Sequence, residues 1–247
     1  MKLNSSLPVL YTVMILLLSA MTLPLDQTVS QDSKILNHEL WDDILFGNVS
    51  KLGVVNYKGI SSSVAFPQYL NKLSNSNPFG ENWTRNDQLS FWINAYNAYT
   101  IKLILDNNVD GSIKEINNPW GLSFIKINNI SMSLGEIEHE VLRKLREPRI
   151  HFALVCASRS CPKLLNHAYA SEQLDKQLDF QTKQFINDSI KNDLKINELS
   201  LSKIFKWFRS DFTSENDLIN FINKYSNVDI NTGASISFQD YNWNLNN

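Results

Sequence analysis

Apolar and polar positions recur at helical spacing along much of this chain, and the clearest example is the segment 89–105. Asn86 or Asp87 can cap this helix, and the polar run 106–111 ends it. A Ser-x-x-Glu capping box at residues 133–136 predicts a second helix that runs to about residue 145. Shorter helices are predicted for residues 37–49, 63–73, 171–187, 202–208 and 217–225.

Alternation with a period of two, together with one apolar run, predicts a few short strands. Residues 120–132 predict a hairpin that turns at Asn128 and Asn129, and the apolar run predicts a strand at 150–155. Further extended segments are predicted at 54–57, 194–199 and 236–246. Since no repeat or linker interrupts residues 31–247, the pattern predicts one α+β domain, with several helices around a small, mainly antiparallel sheet.

The N-terminal segment has the pattern of a secretory signal peptide. Lys2 precedes an apolar run over residues 7–25, and Ser19 and Ala20 are small residues suited to a cleavage site. The run approaches the roughly 20 residues that span a bilayer, so an uncleaved anchor is the alternative. We therefore predict that residues 1–30 are a signal peptide and connector, and that the protein is exported, either periplasmic or secreted.

The charge distribution argues against nucleic acid as a partner. The formal net charge is −2 over 247 residues, and the lysines and arginines are scattered rather than gathered into a stripe. A membrane contact is expected only through an uncleaved signal. The expected partner is a small-molecule or peptide substrate of unknown identity, and we predict neither a cofactor nor a metal.

Both cysteines of the chain lie in one short loop directly after the predicted strand 150–155. Cys156 and Cys161 are the candidate nucleophiles, because Arg159 can lower a thiol pKa and backbone N–H groups can bind an oxyanion. Ser158 and Arg159 are also candidate substrate-binding residues. Export favours a Cys156–Cys161 disulfide as the alternative, although closing so small a loop contributes little stability.

His151 and His139 are the candidate general bases. In a regular strand His151 and Cys156 lie on opposite faces, so either the strand bends or His151 pairs with Cys161. His139 lies off the apolar face of its helix, one turn from Arg143, a further substrate-binding candidate; a solvated surface histidine is the alternative. The two histidines and two cysteines have ligand types that zinc accepts, but their spacing matches no standard zinc module.

The helix 89–105 carries amide side chains among aromatic residues. Asn94 and Asn97 lie on one face, and a helix this aromatic is expected to be buried nearly all round. Buried amides need partners, so these two either bind neighbouring backbone or orient a catalytic imidazole. Trp92 and Tyr96, on the same helix, are candidate substrate-binding residues.

Three segments together resemble the domain-of-unknown-function 547 family, which is found in bacteria, plants and nematodes. They are residues 89–98, residues 137–139 continuing through 149–162, and residues 241–246. The resemblance runs from about residue 50 to the end and identifies an exported bacterial member, with Lys163 and Asn242 where many relatives have Pro and Asp. It implies a domain but no reaction. Some eukaryotic relatives resemble fusions to glutaredoxin-like domains, which favours thiol chemistry by association.

A second resemblance concerns the fold. An aromatic helix followed by a His-led strand is similar to the papain and transglutaminase-like core, in which the nucleophile begins the helix. Here Ser90 stands at that position rather than a cysteine. If the core is shared, either the thiol has moved to the loop after the strand or the protein is not a cysteine hydrolase.

Three functions remain open on these observations. The first is a thiol-dependent hydrolase or transferase with a Cys/His/Asn site. The second is a thiol redox or zinc-binding protein. The third is a non-catalytic binding domain with a structural disulfide.

Overall fold

The helix α4 (Arg85–Asp106) forms the centre of the fold in the computed structural model, which describes residues 35–213 and 218–247. Every residue from Leu89 to Ile104 except Lys102 is buried, as its aromatic composition predicts. The helix begins one turn earlier than expected. Thr84 is the N-cap, and Asp87 completes a capping box with it rather than capping the helix itself.

Three helices precede α4: α1 (Glu39–Asn48), α2 (Tyr57–Ser61) and α3 (Ala65–Ser74). The strand predicted at 54–57 is reduced to a single antiparallel bridge between Val49 and Val55. Tyr57 already belongs to α2, whose first turn is capped by the Asn56 side chain. The predicted signal peptide lies outside the described residues.

The predicted hairpin is confirmed. Strands β1 (Ile125–Ile127) and β2 (Ile130–Met132) pair antiparallel, and Ile127 faces Ile130 across the turn. Asn128 and Asn129 have φ values of 48° and 62°, a left-handed conformation that asparagine tolerates better than most residues.

The helix after this hairpin changes its winding along its length. It begins as α5 (Leu134–Glu136) at the predicted Ser133 capping box, becomes π-helical over Ile137–Leu142, and ends with a 3-10 turn. A π-helical segment inserts residues relative to an α-helix and so rotates the side chains that follow. This segment carries Glu138 and His139.

The predicted strand at 150–155 is wrong. Residues Pro148–Phe152 form a 3-10 helix capped by Glu147, and the chain then runs without regular structure to Val155. Pro148 fixes φ and suits the first position of a helix. The Ala153 carbonyl and the Val155 N–H, which a neighbouring strand would otherwise bind, are held by the Asn97 side chain at 2.9 Å each.

The C-terminal part of the described chain contains helices and a small mixed sheet. The strands β3 (Asp193–Leu194), β4 (Glu198–Leu201) and β5 (Ser235–Phe238) lie in that order, antiparallel and then parallel. The helices are α6 (Leu174–Ile186), α7 (Ile204–Trp207), α8 (Arg209–Phe212) and α9 (Leu218–Asn223). The described residues fall in one compact unit, and the predicted α+β class is confirmed.

The interior is divided into two hydrophobic clusters. The α4 cluster gathers apolar side chains from residues 41 to 178, together with Leu245, around the central helix. The phenylalanine cluster is built around rings contributed mainly from residues 185 to 222: Phe152, Phe185, Phe205, Phe212 and Phe221. The site described below lies between the two clusters. Within the described residues, no helix is both long and apolar enough to cross a bilayer.

Candidate functional site

A cavity of about 280 Å³ lies where the two clusters meet. Its ionisable lining groups are Glu138, His139 and His151, and both cysteine sulfurs stand in its wall. The rest of the wall is mostly aromatic, and its rings come from distant parts of the chain: Tyr96, Trp120, Trp207, Phe208, Tyr241 and Trp243. Ionisable groups enclosed by rings are expected to have shifted pKa values, because water is largely excluded from them.

Glu138 reaches the cavity from the π-helical segment after α5. Its position is four residues from Leu134 and four from Leu142, so it lies on the buried face of its helix and is only 7% exposed. The Tyr96 hydroxyl donates to Glu138 Oε2 at 3.4 Å. Burial raises the pKa of Glu138 to about 7, against the hydrogen bond from Tyr96 and the charge of Arg143.

His151 is oriented by the end of the Pro148–Phe152 helix and by a stacked ring. Its imidazole lies 3.9 Å from the Phe208 ring centroid, nearly parallel to it, and is buried. Nε2 lies 2.8 Å from Asp211 Oδ2, while Nδ1 lies 3.9 Å from Glu138 Oε1. Burial lowers the pKa of His151 although Asp211 opposes the shift. In the neutral ring the proton therefore belongs on Nε2, and the Nδ1 lone pair faces Glu138.

Asp211 is held in turn by Arg143. The Arg143 Nε and Nη2 groups donate to the two Asp211 oxygens at 2.6 Å each, a bidentate pairing. Burial alone would raise the pKa of Asp211, but the hydrogen bonds from Arg143 and His151 outweigh it and hold that pKa well below its usual range. Asp211 is thus a permanently charged support for the His151 ring.

The two sulfurs are joined in a Cys156–Cys161 disulfide. The Cys156 N–H donates to Cys161 Sγ at 2.9 Å, and the Tyr241 hydroxyl donates to the same sulfur at 3.3 Å. The Tyr241 oxygen is also 3.3 Å from Cys156 Sγ. Burial raises the pKa of Tyr241, so this hydroxyl keeps its proton near neutral pH. Cys156 is half-buried and Cys161 is buried, which leaves Cys156 as the more accessible sulfur.

The asparagines of α4 bind backbone rather than an imidazole. The Asn94 amide holds both the N–H and the carbonyl of Tyr169, and Asn97 does the same across Ala153 and Val155. The backbone-binding alternative is therefore the arrangement found for both. Their indirect contribution is positional, since Asn97 fixes the chain between His151 and Cys156.

The other predicted site residues divide between the cavity and its surroundings. Exposed His139 lines the cavity, with Nδ1 3.2 Å from Arg143 Nη1. Buried Ser158 contacts Cys156 Sγ through its hydroxyl at 3.3 Å. Trp92 packs against Phe79 and Phe91 and does not line the cavity, and Arg159 binds the Leu245 carbonyl.

Several residues that line the cavity or support its lining side chains were missed by sequence reasoning. Glu138 carried a signal, because a carboxylate on the Leu134–Leu142 face of an amphipathic helix is unusual. Asp211 lies in a polar run, and Trp207 and Tyr241 lie far along the chain from the other residues, so no local pattern marked them. Among the described residues, no three His, Cys, Asp or Glu side chains converge as metal ligands.

The fold and the site together define an α+β protein with a carboxyl–imidazole pair in an aromatic cleft beside a disulfide. The model of the DUF547 family, described as a protein of unknown function, matches residues 80–186. The predicted resemblance to this family is confirmed over this range. The matched range includes Glu138, His151 and both cysteines, whereas Asp211 and Tyr241 lie beyond it. Neither the curated proteins nor the solved structures compared with the chain include a significant match.

Proposed function

We propose that the cavity is the active site of a hydrolase or group transferase in which Glu138 and His151 act as general acid and base. The observation that carries this proposal is a buried carboxyl with a pKa of about 7 whose Oε1 faces the free Nδ1 of an oriented imidazole at 3.9 Å. A catalytic acid–base group works best when its pKa is close to the working pH. The substrate is a small molecule or a peptide.

The proton movements follow from these contacts. Near neutral pH Glu138 is about half ionised, so its carboxylate can take a proton from an attacking water or hydroxyl group. The protonated form can then donate this proton to the leaving group, or pass it to Nδ1 of His151 after a small approach. The resulting imidazolium is stabilised by Asp211, which remains charged throughout.

The aromatic walls have a separate role. Rings such as Trp120 and Phe208 cannot hydrogen-bond to a substrate's carbonyl or hydroxyl groups through their faces, but they exclude water from the Glu138–His151 pair. Charge interactions inside such an enclosure are stronger than in water. The rings also offer flat surfaces for an apolar part of the substrate.

The first experiment measures the acid–base group directly. The side-chain carboxyls of Glu are labelled with ¹³C, and the signal missing from Glu138→Gln is followed through a pH titration. We expect a midpoint near 7 for Glu138. Glu140→Gln, a neighbouring exposed residue, is the matched control for assignment. A Glu138 midpoint near 4.5 would remove the basis of the proposal.

The second experiment tests catalysis. The wild-type chain is assayed against chromogenic esters, amides and phosphate esters, and any activity is compared in Glu138→Gln, His151→Asn, Glu140→Gln and His167→Asn. We expect the two cavity variants to lose activity by on the order of 100-fold or more, and the two control variants to retain it. Activity that survives in Glu138→Gln would contradict the assignment.

A second candidate function is thiol–disulfide exchange, which the two donors aimed at Cys161 Sγ favour. An attacking thiolate would form a bond with the more accessible Cys156 Sγ while the Cys156–Cys161 bond breaks. The electron pair would pass to Cys161 Sγ, where the Cys156 N–H and the Tyr241 hydroxyl stabilise a thiolate. We also propose that the protein is exported, which would place the Cys156–Cys161 pair in an oxidising compartment.

This candidate is tested by incubating the folded protein with glutathione buffers for increasing times and counting free thiols by alkylation and mass spectrometry. We expect reversible reduction, slower in Tyr241→Phe than in the control variant Tyr57→Phe. A disulfide that stays closed in the folded protein at high thiol concentration would instead assign it a structural role.

A further inference from the structure

A second hollow lies beside the cavity and shares part of its wall. It has a volume of about 450 Å³, and its lining combines Lys114, Lys203 and Lys206 with Asp240. Trp207, Tyr241 and Trp243 line both this hollow and the cavity. We propose that this hollow is the anion-binding half of the substrate site, and that the substrate is an acidic peptide whose apolar side chain enters the cavity. This inference rests on the proposed function, which places the reaction in the cavity with Glu138 and His151.

The three shared rings form a continuous aromatic ridge between the two hollows. Their centroids are 4.6 Å apart for Tyr241 and Trp243, 4.8 Å for Trp207 and Tyr241, and 5.8 Å for Trp207 and Trp243. A ligand that occupies both the cavity and the hollow would therefore contact these three rings. Such a surface suits an extended chain, because aromatic faces contact apolar groups without fixing their orientation.

The charge of the hollow is opposite in sign to that of the whole chain. Three lysines face one carboxylate here, whereas the chain has a formal net charge of −2. Lys203 pairs with Asp240 at 3.0 Å, but the Asp240 side chain is fully exposed, so this pair is readily exchanged for a ligand. The concentration of positive charge beside an apolar cavity is the complement of an anion with an apolar neighbour.

The other two lysines are held by rings rather than by carboxylates. Lys114 Nζ lies 4.2 Å from the Trp243 ring centroid, and Lys206 Nζ lies 5.9 Å from that of Phe238. Among the described residues, neither makes an ion pair. A lysine placed against an aromatic face keeps its ammonium donors available, because the ring attracts the cation without accepting all of its hydrogen bonds.

The dimensions and polarity of the two hollows favour a peptide. The cavity has room for one apolar side chain, and its ionisable groups Glu138 and His151 are already committed to the proposed chemistry. A sugar ring would bring more hydroxyl groups than the few polar groups of this mostly aromatic wall can pair. Carboxylates on the residues next to the apolar one would lie within reach of Lys114 and Lys206, where the ammonium groups are exposed.

Isothermal titration calorimetry with three peptides tests the inference on the complete chain. The probes are Ac-Phe-Glu-Glu-NH₂, Ac-Phe-Gln-Gln-NH₂ and Ac-Phe-Lys-Lys-NH₂, each at low and at high salt. We expect the acidic peptide to bind on the order of tenfold more tightly than the glutamine peptide at low salt, and this advantage to shrink at high salt. The lysine peptide should bind most weakly.

Variants then locate the effect. In Lys114→Gln/Lys206→Gln the preference for the acidic peptide should disappear, while the glutamine peptide should bind as it does to the wild type. Lys126→Gln/Lys183→Gln removes two exposed lysines that line neither hollow and should preserve the preference. Circular dichroism verifies that each variant is folded. Equal binding of the acidic and glutamine peptides, or no measurable binding of the acidic peptide, would overturn the inference.

The design separates this inference from the proposed catalysis. Glu138→Gln should retain the acidic preference, since Glu138 does not line the lysine-bearing hollow. If Glu138 proves to have no catalytic role, the calorimetric preference still stands. If catalysis by Glu138 is found but no acidic preference appears, only the present inference fails.

Discussion

A carboxyl group enclosed by aromatic rings keeps its proton to higher pH, and Glu138 is placed in this way. The cause lies in its position. Leu134 and Leu142 direct their helix face inward, and Glu138 lies between them on that face. Its charge is thus removed from water, and among the described residues only the Tyr96 hydroxyl offers it a direct hydrogen bond, at 3.4 Å.

The stability of the protein should therefore depend on pH through Glu138. Its folded-state pKa of about 7 is above its ordinary value of 4.5, so the unfolded chain loses this proton first as the pH rises. The free energy of unfolding should fall between about pH 4.5 and pH 7, by about 3 kcal/mol from this group, and level off above pH 7. Glu138→Gln should lack this decline. Urea unfolding at pH 4.5 and at pH 7.5 measures it.

The exposed Glu140 provides the control for this measurement. Glu140→Gln should keep the wild-type dependence on pH, since its carboxyl is in water. The same slope in Glu138→Gln and the wild type would show that burial of Glu138 does not perturb its proton affinity.

Asp211 supports two residues at once, so its removal should be costly. Asp211→Asn weakens the bidentate pairing with Arg143 and the contact with His151 Nε2. We expect a loss of about 2 kcal/mol in the free energy of unfolding at pH 7, measured by urea titration. The matched control is Asp240→Asn, since the Asp240 side chain is fully exposed in its pair with Lys203 and should affect stability much less. Equal stability of these two variants would contradict the assigned role.

Sequence alone reached the site at the residue scale only in part. The loop with both cysteines and His151 was recognisable, because reactive side chains are concentrated there. The partner of His151 was not, since Asp211 is 60 residues away in the chain and lies in an ordinary polar run. Cys156 and Cys161 were left open between free thiols and a disulfide, which depends on the loop's folded shape.

At the scale of the element, helices with strong local signals were predictable. The segment 89–105 had sustained apolar spacing, and the capping box at Ser133 marked a helix start in the expected place. The strand expected at 150–155 was wrong because an apolar run identifies burial but not backbone conformation. The partner of this segment is the side chain of Asn97, a distant contact that no local pattern contains.

The capping box of α4 should stabilise the helix on which the α4 cluster is built. Thr84 Oγ1 accepts from the Asp87 N–H at 3.2 Å, and Asp87 Oδ2 accepts from the Thr84 N–H at 2.9 Å. Thr84→Ala should lower the free energy of unfolding by about 1 kcal/mol, measured by urea titration. The exposed residue Thr232 is the control, and Thr232→Ala should change stability by less than about 0.5 kcal/mol. A Thr84→Ala variant of wild-type stability would mean that tertiary packing alone holds this end.

At the scale of the whole molecule, the α+β class was predictable but the position of the cleft was not. The spacing of apolar residues along the chain predicts the type of each element, and a mixture of helices and short strands indicates the α+β class. The cleft depends on how the phenylalanine cluster docks against the α4 cluster, which brings residues such as Trp207 beside Trp120. Such docking is decided by shape complementarity between distant segments.

The disulfide should contribute modestly to the stability of this whole assembly. It closes a loop with a sequence separation of only 5 residues, so reduction should lower the free energy of unfolding by about 2 kcal/mol or less. Urea unfolding with and without a phosphine reductant measures this change. Cys156→Ala/Cys161→Ala should not respond to the reductant. Unfolding of the wild type by the reductant alone would identify the bond as a main structural support.

The location of the cavity between two hydrophobic clusters has a practical consequence. A compound that fills the cavity contacts side chains of both clusters, such as Tyr96 of the α4 cluster and Ile204 of the phenylalanine cluster. Such a compound therefore adds contacts between the two clusters to those of their own packing. Binding to the native state raises the free energy of unfolding by RT ln(1 + [L]/Kd) and so raises the melting temperature. A thermal-shift screen can therefore identify an occupant before any turnover assay exists.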